Sequence, residues 1–163
     1  MIKRMLGITL KNSESIETWP VGGTGADVLK AEDIGKALAL DTSVAEGAMK
    51  LAGADDEIAG FVTSLEVEQP THNGRVVGSV LRPGQGARQY VTSAAALVVG
   101  DYIVGAAQPA AGVAGTLYNF AGSNNFNAVN GNITVVGKAA AATPWRVISV
   151  ADATNKIYLV EAV

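Results

Sequence analysis

Residues 58 to 67 read Ile58-Ala59-Gly60-Phe61-Val62-Thr63-Ser64-Leu65-Glu66-Val67. Side chains on a strand alternate between its two faces. Phe61, Thr63, Leu65 and Val67 therefore point one way, and Val62, Ser64, Glu66 and Glu68 the other. A half-buried strand shows this period, with one face on a core and the other in water.

Other runs of the same character lie on either side, among them Leu38 with Leu40 and the segment Met49 to Leu51. Further on come Arg75 to Leu81, Gln89 to Thr92, Tyr102 to Gly105, Ile133 to Val136, Trp145 to Val150 and Ile157 to Val160. These are rich in β-branched or aromatic residues, which suit a pleated and partly buried surface. Turn residues separate them: Gly47, Gly53 with Asp55-Asp56, Asn73-Gly74, Pro83-Gly84, Gly100-Asp101, Asn130-Gly131 and Ala153 to Asn155. Asn-Gly favours hairpin turns because both of its residues tolerate positive φ. Many short strands at this spacing predict a mainly β protein, a small β-sandwich or barrel of short antiparallel strands. Ala26 to Glu32 is expected to form a short helical turn, and Ser93 to Val99 competes as a helix of one or two turns through Ala94 to Ala96.

Two regions depart from the pattern. Residues 1–26 carry an apolar run (Met5, Leu6, Ile8, Leu10), a polar run from Lys11 to Glu17, and then Trp19-Pro20-Val21-Gly22-Gly23, where proline and glycine oppose both helix and central strand. This predicts an extended N-terminal arm, with a fraying terminus as the alternative, followed by a β-domain over 27–163. The apolar run is too short for a signal peptide, and the chain is expected to be made in the cytoplasm. The second region, Tyr102 to Gly137, is 36 residues without a charge. Its asparagines, together with Gln108 and Pro109, rule out a hydrophobic membrane span. It predicts a long neutral loop insertion at about 106–130. Tyr118, Phe120 and Phe126 at its centre are the residues expected to contact another subunit, with an ordinary surface loop as the alternative.

With 163 residues the chain is long enough for a real core, while the absence of cysteine leaves packing and assembly to hold it. A net charge of -3 supplies no basic field for nucleic acid. Of the 27 charged residues, 21 lie in the first 88 positions, so the second half is the part more readily covered by a neighbour. His72 is the only histidine and sits in a turn without a serine elbow. Asp55-Asp56-Glu57 lacks the spacing of a calcium loop, and neither glycine cluster fits a phosphate or dinucleotide loop. No catalytic, metal or cofactor site is expected, and a small β-barrel enzyme is the least favoured class. Arg82 and Arg88, with Arg75, make the one local basic excess, read either as an intersubunit salt-bridge site or as solvated hairpin charges.

Three phrases carry a family resemblance. They are Val28-Leu29-Lys30-Ala31-Glu32-Asp33-Ile34-Gly35-Lys36-Ala37-Leu38, Leu51-Ala52-Gly53-Ala54-Asp55-Asp56-Glu57-Ile58-Ala59-Gly60-Phe61-Val62, and Ala96-Leu97-Val98-Val99-Gly100-Asp101-Tyr102-Ile103-Val104. Over about residues 28 to 105 the chain resembles the small capsid decoration, or cement, proteins of tailed bacteriophages. The resemblance implies a structural virion protein on the outer surface of the capsid, bridging neighbouring copies of the major capsid protein and stabilising the DNA-filled head. It further implies an arm lying along the shell, here Met5, Leu6, Ile8, Leu10 and Trp19. Self-association as a dimer or trimer is expected through the neutral second half. The competing class is a receptor- or carbohydrate-binding β-module of a phage tail or surface structure, for which Tyr118 to Phe126 would supply the stacking surface.

Overall fold

The computed structural model describes residues 16–24, 27–45, 47–66, 74–84, 86–93, 95–106 and 135–163, together with the backbone of 4–5 and 8–9. Among the described residues twelve strands account for nearly all of the regular structure, with a short 3-10 turn at Ala31–Asp33. The mainly β expectation holds. Residues 95–102 contain no helix, so the alanine propensity there loses to the turn at Gly100.

Five strands form a small closed barrel: β3 (Ile16–Val21), β4 (Ala37–Leu40), β5 (Met49–Leu51), β6 (Gly60–Glu66) and β7 (Val76–Leu81). Their order is β3-β5-β4-β6-β7, and β7 returns to β3 along a six-residue antiparallel register from Ile16↔Leu81 to Val21↔Val76. Residues 16–21 are thus part of the β-domain, and the predicted boundary at residue 27 moves back to 16. Pro20 did not prevent this. The second neighbour of β3, β5, meets it only at Val21↔Met49, so the missing N–H of Pro20 loses no ladder bond on that side. Ahead of the barrel, β1 (Arg4–Met5) and β2 (Ile8–Thr9) pair antiparallel as a small hairpin, where an extended arm was expected.

A second sheet contains β8 (Arg88–Ser93), β9 (Ile103–Gly105), β10 (Val135–Lys138), β11 (Trp145–Asp152) and β12 (Ile157–Ala162), in the order β11-β12-β8-β10-β9. Its pairings are antiparallel except β8 with β10. The sheet also rolls until its edges meet. Tyr102 bridges to Arg146, the Gly100 N–H donates to the Val147 carbonyl (2.9 Å), and the Val147 N–H donates to the Asp101 carbonyl (2.8 Å).

Two cores result. Val21, Leu38, Met49, Val62, Val76 and Val80 fill the barrel, and Leu29 is buried with them. The larger core is shared between the two bodies. The second sheet supplies Val91, Ile103, Val136, Trp145, Val147, Tyr158 and Val160, while Ala37, Ala39, Ala52, Ile58, Phe61 and Leu81 come from the barrel side. The Trp145 ring meets Phe61 edge-on at 4.8 Å, and its Nε1–H donates to the Ile58 carbonyl at 3.2 Å. In a chain without disulfides, each such fully buried side chain contributes about 1.5–3 kcal/mol.

The opening segment behaves differently from the alternation expected of it. Phe61 and Val62 are both fully buried because β6 has a core on each side, Phe61 facing the shared core and Val62 the barrel interior. Val62 pairs with Val80 and Ser64 with Ser79, which leaves Thr63 as the extra residue of a β-bulge. The Thr63 hydroxyl donates to the Ser79 carbonyl at 2.9 Å. One inserted residue reverses the parity of everything after it. Leu65 therefore packs against the barrel core with Val62, not on the face of Phe61.

Candidate interaction surface

Of the three phrases that carry the resemblance, the first two are adjacent in space. The first two are knitted together through Ala52 N–H to the Ala37 carbonyl (3.0 Å), Ala59 N–H to the Leu38 carbonyl (2.7 Å) and Gly35 N–H to the Val62 carbonyl (2.7 Å). Gly105, the residue after the third phrase, reaches the second: its N–H donates to the Asp56 carbonyl (2.8 Å) and its carbonyl accepts from Asp55 (3.1 Å). The second phrase and Gly105 thus meet where the barrel joins the second sheet. Asp56 Oδ2 accepts the Gly53 N–H (2.9 Å) and lies 3.7 Å from Lys50 Nζ, so this carboxylate holds a turn. Among the described residues, no three His, Cys, Asp or Glu side chains gather as a metal site.

Trp19 lies on β3 with the barrel, half-buried against its core. Glu17, Trp19 and Val21 share one face of the strand, running from the barrel mouth to its interior. At the mouth the Trp19 Nε1–H donates to Glu17 Oε2 (2.7 Å), and the Arg82 guanidinium stands 5.4 Å over the indole ring. Arg82 Nε is 3.5 Å from the same carboxylate, and its Nη1 donates to the Ala59 carbonyl (3.1 Å). Arg82 thereby caps the barrel of its own chain. Arg88 is engaged similarly: it faces Glu161 across the β8–β12 ladder, with Nε and Nη2 both 2.9 Å from Oε1. Arg75 Nε donates to the Gly22 carbonyl (3.1 Å). The three arginines do not converge on one patch. The side chains of Met5, Leu6, Ile8 and Leu10, and the whole of His72, Tyr118, Phe120 and Phe126, lie outside the described residues.

A different surface emerges at the far end of the shared core. β8 ends at Ser93, and the chain folds into a turn over Val98 to Asp101, with the Asp101 N–H bonded to the Val98 carbonyl (3.1 Å). Gly100, at φ +97°, supplies the left-handed position. Asp101 Oδ2 accepts the Val98 N–H (2.9 Å), and Oδ1 pairs with Lys138 Nζ (2.9 Å). The Val98 amide, and after it Lys138, hold this carboxyl below the usual aspartate range. Just before the turn, the Leu97 N–H donates to the buried Tyr158 hydroxyl (3.0 Å).

This turn presents two valines to solvent, Val98 at 61% and Val99 at 62% exposure. Val150, at 40%, is the cross-strand partner of the same Tyr158. Val98, Val99 and Val150 are three of the five large exposed apolar side chains among the described residues. The sequence signal for this site was Val-Val-Gly-Asp, two β-branched residues directly before a turn. No described helix is long and apolar enough to cross a membrane. No family model, curated protein or solved structure matches the chain.

Proposed function

We propose that this chain is a structural virion protein of the capsid-decoration class, binding the outside of a phage capsid and bridging neighbouring major capsid proteins. One observation carries the reading: the first two phrases of the resemblance are hydrogen-bonded neighbours, and Gly105, the residue that follows the third, bonds to the second. The build of the molecule suits the role. Two β bodies locked by a common core form a stiff block, and repetition on a lattice multiplies weak contacts through effective concentration. The N-terminal segment and the neutral stretch are proposed to contact shell and sister subunits respectively, the latter as a dimer or trimer.

The test is to mix the purified protein with undecorated phage capsids and with unassembled capsid protein, and to follow sedimentation and capsid melting. Saturable binding with a raised capsid melting temperature is expected, and no binding to capsids refutes the reading. A glycan-array signal lost in Tyr118→Ala would favour the carbohydrate-binding class instead.

A further inference from the structure

We infer that the N-terminal hairpin is an intramolecular strap: β2 covers the open edge of β8 and keeps a second copy of the chain from pairing there. The inference goes beyond the decoration reading and does not depend on it. β8 has a full partner on one side only. β12 runs beside it from Arg88 to Thr92, whereas β10 joins the other side at Thr92 and Ser93. Between Arg88 and Val91, no strand of the described residues is in ladder register with that second side.

Hydrogen bonds at the two ends of the β8–β12 ladder fix which residues face the uncovered side. The Ala162 N–H donates to the Ala87 carbonyl (2.9 Å), and the Ser93 N–H donates to the Lys156 carbonyl (3.1 Å). Along a strand the main-chain groups of successive residues point to opposite neighbours. Ala87, Gln89, Val91 and Ser93 therefore turn to β12, and Arg88 and Tyr90 turn away from it. The Tyr90 carbonyl accepts the Gln89 Nε2–H (3.3 Å), in keeping with that direction.

The hairpin presents a matching edge. Its rungs are Arg4↔Thr9 and Met5↔Ile8. Only residues 6 and 7 lie between Met5 and Ile8. Adjacent residues cannot bond across a ladder, so Met5 and Ile8 are the hydrogen-bonded pair. Thr9, one rung on, then points its N–H and C=O away from β1. β2 is the strand of the hairpin that lies against β8. A lone two-stranded ribbon is marginal in water, and β8 is the neighbour that steadies this one. A bare sheet edge is a template for a strand of another chain. The chain present at equal concentration is a second copy, so self-pairing is what the strap prevents.

The experiment compares full-length wild type with Thr9→Pro and Thr9→Val by hydrogen exchange and sedimentation velocity. Proline removes the N–H that Thr9 turns outward and spares the Met5–Ile8 rung, while valine keeps that N–H. In wild type the Arg88 and Tyr90 amides should be protected although they face away from β12. Thr9→Pro should speed their exchange about tenfold, the effect of losing roughly one hydrogen bond. The Val91 amide, which faces β12, should be unchanged, and the variant should associate beyond the wild-type state. Thr9→Val should match wild type in both measurements. Unprotected Arg88 and Tyr90 amides in wild type, unchanged exchange in Thr9→Pro, or equal acceleration in both variants would overturn the cover. Faster exchange in Thr9→Pro without added association would overturn the guarding role. No capsid enters either measurement, so the decoration reading stands or falls separately.

Discussion

Trp145→Phe tests the claim that barrel and second sheet are one cooperative body. Trp145 is fully buried on β11, and its indole N–H reaches the Ile58 carbonyl on the barrel side. Phenylalanine retains much of the edge contact with Phe61 but leaves that carbonyl without its donor, a loss of about 1–3 kcal/mol for a buried group. The missing ring atoms add about 1 kcal/mol of lost burial and void. The total, about 3 kcal/mol, is a large part of the roughly 5–15 kcal/mol that stabilises a domain. At about 2–4 °C per kcal/mol for a chain of this length, melting should fall by roughly 6–12 °C. The variant has a built-in reporter, because Trp19 at the barrel mouth becomes the sole tryptophan. Its fluorescence should unfold in urea at the same midpoint as the whole-chain far-UV circular dichroism, and both should lie below wild type. If the Trp19 transition stays at a higher midpoint while circular dichroism reports earlier loss of the second sheet, the shared core does not couple the two bodies.

Two further outcomes follow from local geometry. A Cβ on Gly78 would stand 2.9 Å from Leu65 Cδ2, 2.9 Å from the Ser64 carbonyl oxygen and 3.0 Å from Val21 Cγ2. Gly78→Ala should destabilise by about 1–3 kcal/mol, since the backbone of β6 cannot withdraw freely, and an unchanged urea midpoint would contradict this packing. Asp101 is held below the ordinary aspartate value of 3.8 by the Val98 amide and Lys138. A depressed carboxyl contributes stability that is complete above the unfolded value and is lost as pH falls through the folded one. The Val98 amide resonance should therefore titrate with an apparent pKa under 3.8, moving upward in Lys138→Ala. A midpoint at or above 3.8 in wild type would mean that the turn is not closed by this carboxylate.

Most of the strands were legible because β-branched runs and turn residues are local signals. The predicted runs from Arg75 to Val160 that lie among the described residues fall on β7 to β12 within two residues at each end. What escaped is set by distance along the chain or by a second buried face. Alternation assumes one wet side, and β6 has none at Phe61 and Val62, while a bulge at Thr63 reverses the faces without any composition cue. In Ile16 to Val21 the local signal, Pro20, argues against a strand, yet the long register of this segment is with β7, some sixty residues away. The Arg88–Glu161 pair spans 73 positions and follows only from strand order. β6 and β7 are a hairpin as expected, but Glu66 opposes Val77, so the connection is longer than a two-residue Asn-Gly turn. The candidate surface was hidden for a related reason: Val98 and Val99 look like core until Gly100 and Asp101 are seen to turn them outward.

The ladder between β9 and β10 fixes both ends of what lies between them. Gly105 sits opposite Val136, and Gly105 is also clamped to Asp55 and Asp56. The chain between β9 and β10 thus leaves and returns at neighbouring rungs, and closing such a connection depends only weakly on its length, about 0.6 kcal/mol for each doubling. The length of the connection between these two rungs is therefore only a weak constraint on the ladder that carries it. For an engineer the same pair of rungs marks a place where chain length can be varied with both flanking strands held in register by the β9–β10 ladder.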